Sequence, residues 1–192
     1  ALNTLERATL PQTTSGNVTL LAKVYGQGTV IGTQDARLFF MMRQGDFKEI
    51  DFHGEGKEKA ERVFADRHDQ VWIATSGKGV TRYDVATGQS IYYHLSPRHI
   101  EAVLDFERPV FYEDFNGELW IGLCGGGLLR YNRTEDRFES WLNDLKDSRS
   151  IPSNVVLCMT EDNGGDMWIG TGPYMGGLVK AIRANKAFVG VK

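Results

Sequence analysis

Two adjacent carboxylate pairs, Glu113-Asp114 and Glu161-Asp162, are the residues of this 192-residue chain best typed for general acid–base chemistry. Such chemistry needs two carboxyls whose environments push their pKa values apart across a substrate. Both pairs instead fall at the same place in a repeated pattern, at a turn between two apolar runs. Of the four histidines only His94 and His99 are close in sequence, and no Cys or carboxylate completes a metal-ligand spacing with them. Gly125-Gly126-Gly127 lacks the Lys-Ser/Thr of a phosphate loop. No serine nucleophile elbow appears. The sequence therefore offers no catalytic residue, no metal site and no cofactor motif.

The pattern that absorbs the carboxylates is a repeat. Val71-Trp72-Ile73-Ala74-Thr75, Leu119-Trp120-Ile121-Gly122-Leu123 and Met167-Trp168-Ile169-Gly170-Thr171 follow one another at steps of 48 residues. Asp66, Asp114 and Asp162 each lie six residues before the tryptophan. Tyr83 and Tyr131 each lie eleven residues after it. A fixed period of this size marks an array of one supersecondary unit. A large aromatic at one place in every unit packs between neighbouring sheets, and an Asp at a fixed place anchors a turn by accepting backbone amides. All eight residues are read as scaffold.

Each unit resolves into four short strands. In the middle copy Val110-Phe111-Tyr112 precedes an Asn-Gly turn at Asn116-Gly117, a hairpin signal because both residues tolerate positive φ. Leu119 to Leu123 follows, then the glycine run, Leu128-Leu129-Arg130-Tyr131, a polar turn, and Arg137-Phe138-Glu139-Ser140-Trp141. Alternation in the last segment argues strand, not helix. A degenerate first copy holds Val30 in the tryptophan slot and Val24 in the Asp slot. Gly56 to Ala65, rich in Glu, Lys and Ala, reads as a loop or one or two helical turns. The expectation is an all-β chain, a β-propeller of four-stranded antiparallel blades. Blade cores are placed at 19–50, 61–94, 108–142 and 154–189, within a single segment over 1–192. About four blades, starting and ending mid-pattern, are expected to be part of a larger ring, completed by the rest of the same propeller or by a second copy.

The pattern Asp-x-x-Gly-x-Leu-Trp-Ile-Gly with a downstream Gly-Gly-Leu-x-x-Tyr resembles the two-component regulator propeller repeat. Ser150-Ile151-Pro152-Ser153-Asn154-Val155 is similar to that family's inter-blade segment. Ala74 in place of Gly, Leu123 in place of Thr and the lost first tryptophan depart from it. The resemblance implies paired seven-bladed propellers in the periplasmic sensor region of a hybrid two-component histidine kinase. It also implies carbohydrate sensing and an oligosaccharide ligand.

Bulk properties are compatible. Twenty-two Lys and Arg against 25 Asp and Glu give a net charge of −3, and no basic run suggests nucleic acid. The longest apolar run, Leu38 to Met42, is too short to span a bilayer, so no membrane contact by this segment is expected. No signal peptide is visible at Ala1 to Glu6. Cys124 and Cys158 are expected to be two half-buried free thiols, with a contact across a blade interface as the alternative.

In an up-and-down blade the link between strands two and three emerges on the same face as the link to the next blade. That face collects the glycine loops and the long stretches 94–105 and 142–154, and variable loops on a rigid scaffold usually carry ligand contacts. Tyr174, in an insertion and able to stack on a sugar ring, is the first candidate ligand-binding residue, followed by Arg98 and His99. The competing functions are a general propeller interaction scaffold and a propeller enzyme such as a lyase or glycosidase. A quinone-dependent dehydrogenase is disfavoured: Asp84 to Gln89 resembles its repeat once only, without the downstream tryptophan.

Overall fold

A computed structural model describes residue 10 and residues 17–52, 59–75, 79–95, 109–172, 176–182 and 187–190. Among these residues there is no helix; the chain forms four antiparallel four-stranded sheets. Blade 1 comprises β1 (Val18–Val24), β2 (Gly28–Thr33), β3 (Leu38–Met42) and β4 (Phe47–Ile50). Blade 2 comprises β5 (Ala60–Ala65), β6 (Gln70–Thr75), β7 (Gly79–Asp84) and β8 (Ser90–His94). Blade 3 comprises β9 (Val110–Glu113), β10 (Leu119–Leu123), β11 (Gly127–Asn132) and β12 (Arg137–Trp141). Blade 4 comprises β13 (Val155–Glu161), β14 (Met167–Gly172), β15 (Gly177–Ile182) and β16 (Ala187–Gly190). In every sheet the strands pair in chain order, so each blade is a meander.

Ala60 to Ala65 is a strand, which corrects the expectation of a loop or helical turns there. β5 pairs with β6 through Val63↔Ile73, Phe64↔Trp72 and Ala65↔Val71. Cross-strand bonding and side-chain contacts outweigh the modest helix propensity of Ala and Glu in so short a segment.

The side chains that flank each tryptophan explain how the blades stack. Successive residues of a strand point to opposite faces, so the residue before the tryptophan and the one after it face backward while the indole faces forward. Val71 and Ile73 join blade 1's Val30 and Leu38 in one buried cluster. Trp72 and Val80 join blade 3's Leu119, Ile121 and Leu129 in a second. Trp120 and Leu128 join blade 4's Met167, Ile169 and Val179 in a third. Each seam thus interleaves one blade's forward face with the next blade's backward face, and each fully buried large side chain contributes about 1.5–3 kcal/mol.

The first strands gather on the inner side of this arc, where β1 lies beside β5 and β13 beside β9. Gly122 sets the closeness of the last seam. A Cβ there would sit 2.4 Å from a methyl of Val156 in blade 4.

Candidate functional site

The repeat's Asp and Trp meet directly. Asp66 Oδ1 accepts the backbone N–H groups of His68 and Gln70 at 2.8 and 3.0 Å, and its Oδ2 accepts the Trp72 indole N–H at 2.8 Å. Asp114 takes the amides of Asn116 and Glu118 and the Trp120 indole at 2.9, 3.0 and 3.0 Å. Asp162 takes the amides of Gly164 and Asp166 and the Trp168 indole at 2.9, 3.1 and 2.8 Å. The side chains of Asp66 and Asp114 lie buried. The Trp168 indole, with the Asp166 and Gly164 amides, holds the Asp162 carboxyl below the usual carboxylate range. A carboxylate saturated by three scaffold donors is poorly placed to exchange protons with a substrate.

The glutamates of the carboxylate pairs act between blades. Glu113 accepts the Arg67 backbone N–H of blade 2 at 3.0 Å, and Glu161 accepts the Phe115 N–H of blade 3 at 2.6 Å. Each therefore caps the Asp turn of the preceding blade. Arg67 returns the contact by donating to the Asp114 carbonyl at 2.6 Å. Arg133 reaches back from blade 3 to Asp66 at 2.8 Å.

Tyr131 takes part in a polar cluster across the same seam. The hydroxyls of Tyr131 and Tyr93 both donate to Asp136 Oδ1, the second at 2.5 Å, and Arg82 approaches that oxygen at 3.1 Å. The Tyr131 and Tyr93 hydroxyls, aided by Arg82, hold Asp136 below the usual range. Burial pushes the hydroxyls of Tyr93 and Tyr131 up. Tyr83 is equally buried, yet its hydroxyl has no hydrogen-bond partner among the described residues. The slot of Asp136 is Gly88 in blade 2, and both residues have positive φ, 50° and 73°.

A large concavity among the described residues lies on the inner side. A groove of ≈ 780 Å³ runs across the first strands of blades 1 to 3, walled by Leu21, Tyr25, Phe64, Phe111 and Tyr112. Phe64 and Phe111 stack with centroids 5.7 Å apart and planes 8° from parallel. Lys23 lies 5.1 Å over the Tyr25 ring, and Arg67 and Glu113 line one end. The groove offers aromatic faces and charged ends, the furniture of a binding site. Sequence reading missed it because its wall is assembled from strands 40 or more residues apart.

On the glycine-loop face, the Gly125 and Gly127 amides both donate to the Asn154 carbonyl, at 2.9 and 2.8 Å. That loop and the 142–154 link do share a face, but the glycines serve to bring the two backbones together. Tyr174, Arg98 and His99 lie outside the described residues. Cys124 and Cys158 are both free thiols, as expected, but Cys124 is buried and Cys158 exposed, which corrects the expectation that both are half-buried. Cys124 faces Val155 in an isolated backbone bridge, so the cysteine next to β13 is held by the seam itself. No group of three or more His, Cys, Asp or Glu among the described residues could hold a metal ion.

The two component regulator propeller family matches residues 150–172, from the inter-blade link through the Asp162–Trp168 turn to the end of β14. Over these residues the chain carries the two-component regulator propeller repeat. No curated protein matches it. Among solved structures, the extracellular domain of BT3049 from B. thetaiotaomicron, described as a hybrid two component system, is similar at 21% identity and a TM-score of 0.61, covering 94% of this chain and 25% of that one. The extracellular domain of BT4673 from the same organism, described likewise, is 20% identical with a TM-score of 0.60, covering 84% and 21%. Virginiamycin B lyase from Staphylococcus aureus is 11% identical with a TM-score of 0.62, covering 93% and 56%. These likenesses show the propeller fold. This propeller segment spans a quarter or less of the two B. thetaiotaomicron chains.

Proposed function

We propose that this chain is a non-catalytic part of the extracytoplasmic, ligand-recognising region of a two-component sensor histidine kinase. The observation that carries the proposal is the regulator propeller match at residues 150–172, which falls on the same Asp–Trp turn that recurs in blades 2 and 3. The fold likeness to extracellular domains from B. thetaiotaomicron supports it, as does the saturation of each repeat Asp by scaffold donors. The resemblance of the repeat supports a periplasmic location and a carbohydrate ligand. Tyr174, Arg98 and His99 remain the proposed contacts on the glycine-loop face. The inner groove, with its aromatic wall, favours a second reading as an interaction scaffold.

Two measurements separate these readings. The parent gene should encode a membrane helix and a kinase downstream of the propeller; their absence overturns the sensor assignment. Calorimetry of the complete ectodomain against an oligosaccharide panel should give heat with at least one member. A flat response sinks sugar sensing and leaves the scaffold reading standing.

A further inference from the structure

Two seams carry the same tyrosine and treat it differently. Between blades 2 and 3 the Asp136 carboxylate accepts from Tyr131, Tyr93 and Arg82 together. Between blades 1 and 2 the corresponding tyrosine is Tyr83, 1% exposed and packed in one cluster with Phe40 and Ile50 of blade 1. Leu38 pairs with Ile50 as Val80 pairs with Tyr93, so register puts Ile50 in the slot of Tyr93 and Phe40 in the slot of Arg82. Gly88 stands in the slot of Asp136. The Tyr83 hydroxyl, buried and without a hydrogen-bond partner among the described residues, therefore faces the place that an aspartate side chain fills at the next seam.

A cation already reaches that place. A Cβ on Gly88 would fall on the Lys48 ammonium and lie 3.8 Å from the Tyr83 hydroxyl oxygen. Lys48 sits on β4 directly across from Phe40, so the charge that Arg82 supplies at the other seam comes here from the neighbouring strand. The carboxylates nearby are engaged elsewhere. Asp84 accepts the Thr87 amide and hydroxyl and the Gln70 side chain, and Glu49 is paired with Arg37. A buried hydroxyl donor and an ammonium thus converge with no acceptor between them, and a buried donor left unsatisfied is costly. The slot opens on the Asp-turn face, where the Val85 amide donates to the Asp69 carbonyl at 3.4 Å.

We propose that the Gly88 slot binds a small monocarboxylate, with the Tyr83 hydroxyl and the Lys48 ammonium as its donors. The Asp136 side chain beyond its α-carbon is an acetate group, and that sets the size of the ligand. One carboxylate oxygen takes the Tyr83 hydroxyl, and the ammonium pairs with the charge, a charge-assisted contact stronger than a neutral one. The flexible lysine stem lets Nζ move aside and stay within reach. The slot lies on the face opposite the glycine loops, so its occupancy is independent of the sensor reading.

The test titrates the chain, carrying isotope-labelled tyrosine, with sodium acetate and follows the Tyr83 ring by NMR, its signal assigned through Tyr83→Phe. The signal should move along a saturable curve with a millimolar midpoint. Sodium chloride at equal ionic strength, and acetamide, which has the same shape without the charge, should leave it in place. Gly88→Asp, whose own carboxylate fills the slot, should abolish the response. Lys48→Met, a change at an exposed side chain, should raise the midpoint about tenfold, the worth of one charged contact. An unmoved signal, an equal response to chloride or acetamide, or a response that survives in Gly88→Asp overturns the proposal. So does an unchanged midpoint in Lys48→Met, which decides the matter even if Gly88→Asp does not fold.

Discussion

The Trp120 indole N–H donates to Asp114 Oδ2 at 3.0 Å, and the same carboxylate holds the two amides of the turn between them. One buried side chain therefore closes the hairpin and fixes the indole that seals the next seam. Turn and seam are coupled through a single residue.

Asp114→Ala should destabilise the fold by about 3 kcal/mol or more, because it strands a buried indole N–H and turn amides at roughly 1–3 kcal/mol each. Trp120→Ala should cost roughly 3–5 kcal/mol, the range for large-to-small changes in a core. The double mutant should fall short of the sum, since the two share one network. Urea denaturation of the three variants checks this. A thermal melt of Trp120→Ala within a degree of the parent removes the seam role.

Gly88→Asp should stabilise the protein by about 0.5–1 kcal/mol, the worth of a newly satisfied buried hydroxyl. Asp tolerates positive φ better than most residues, and Asp136 already does so in the equivalent slot. The new side chain would meet the far end of Lys48, which can swing aside. In a Tyr83→Phe background the gain should vanish. A gain that survives there refutes the Tyr83–Asp pairing.

Gly122→Ala should be more costly than Gly170→Ala. The first would press a Cβ into Val156 Cγ1 and Cβ at 2.4 and 2.9 Å, inside a sealed seam where overpacking costs about 1–3 kcal/mol. The second would meet the Cys158 sulfur at 2.5 Å on an exposed face where the thiol can rotate away. Equal melting temperatures for the two variants would contradict the seam geometry.

Acid should loosen the blade 2–blade 3 seam. Asp136 is depressed across the seam by Tyr131, Tyr93 and Arg82, while Asp84 is depressed within blade 2 by Gln70 and the Thr87 amide. A depressed folded-state pKa gives stability that is present above the unfolded value, about 3.9, and is lost as pH falls through the folded one. Tyr93 and Tyr131 act in the opposite direction at the other end. Their raised values give stability that is present below about 10 and lost as pH rises beyond it. Asp136→Asn should flatten the acid limb of a stability–pH curve, and Tyr93→Phe the alkaline limb. Limbs identical to the parent's in both variants would remove this cluster from the account.

The strands, their turns and the meander were legible because each depends on neighbours in sequence. Alternation, Asn116-Gly117 and the 48-residue period act over a few residues or repeat the same few. The Ala60–Ala65 strand was not legible, since its composition favours helix and only its pairing with β6 decides otherwise. The candidate site was less legible still. The inner groove joins side chains of three blades, and the residues singled out on the glycine-loop face, Tyr174, Arg98 and His99, lie outside the described residues.

What the sequence by itself determined is the repeating unit: where each strand runs, where each turn closes and which residues recur. The six-residue spacing of Asp114 and Trp120 was visible, but their bond exists only once the hairpin folds the carboxylate back over the indole. The tertiary structure alone decided the partners of residues a whole repeat apart. Glu113 reaches Arg67 across a seam, Tyr131 finds an Asp and an Arg where Tyr83 finds neither, and Leu178 stays open where Leu128 is sealed. Local rules assign a side chain to a face of its strand; only the packing of one sheet on the next decides what covers that face.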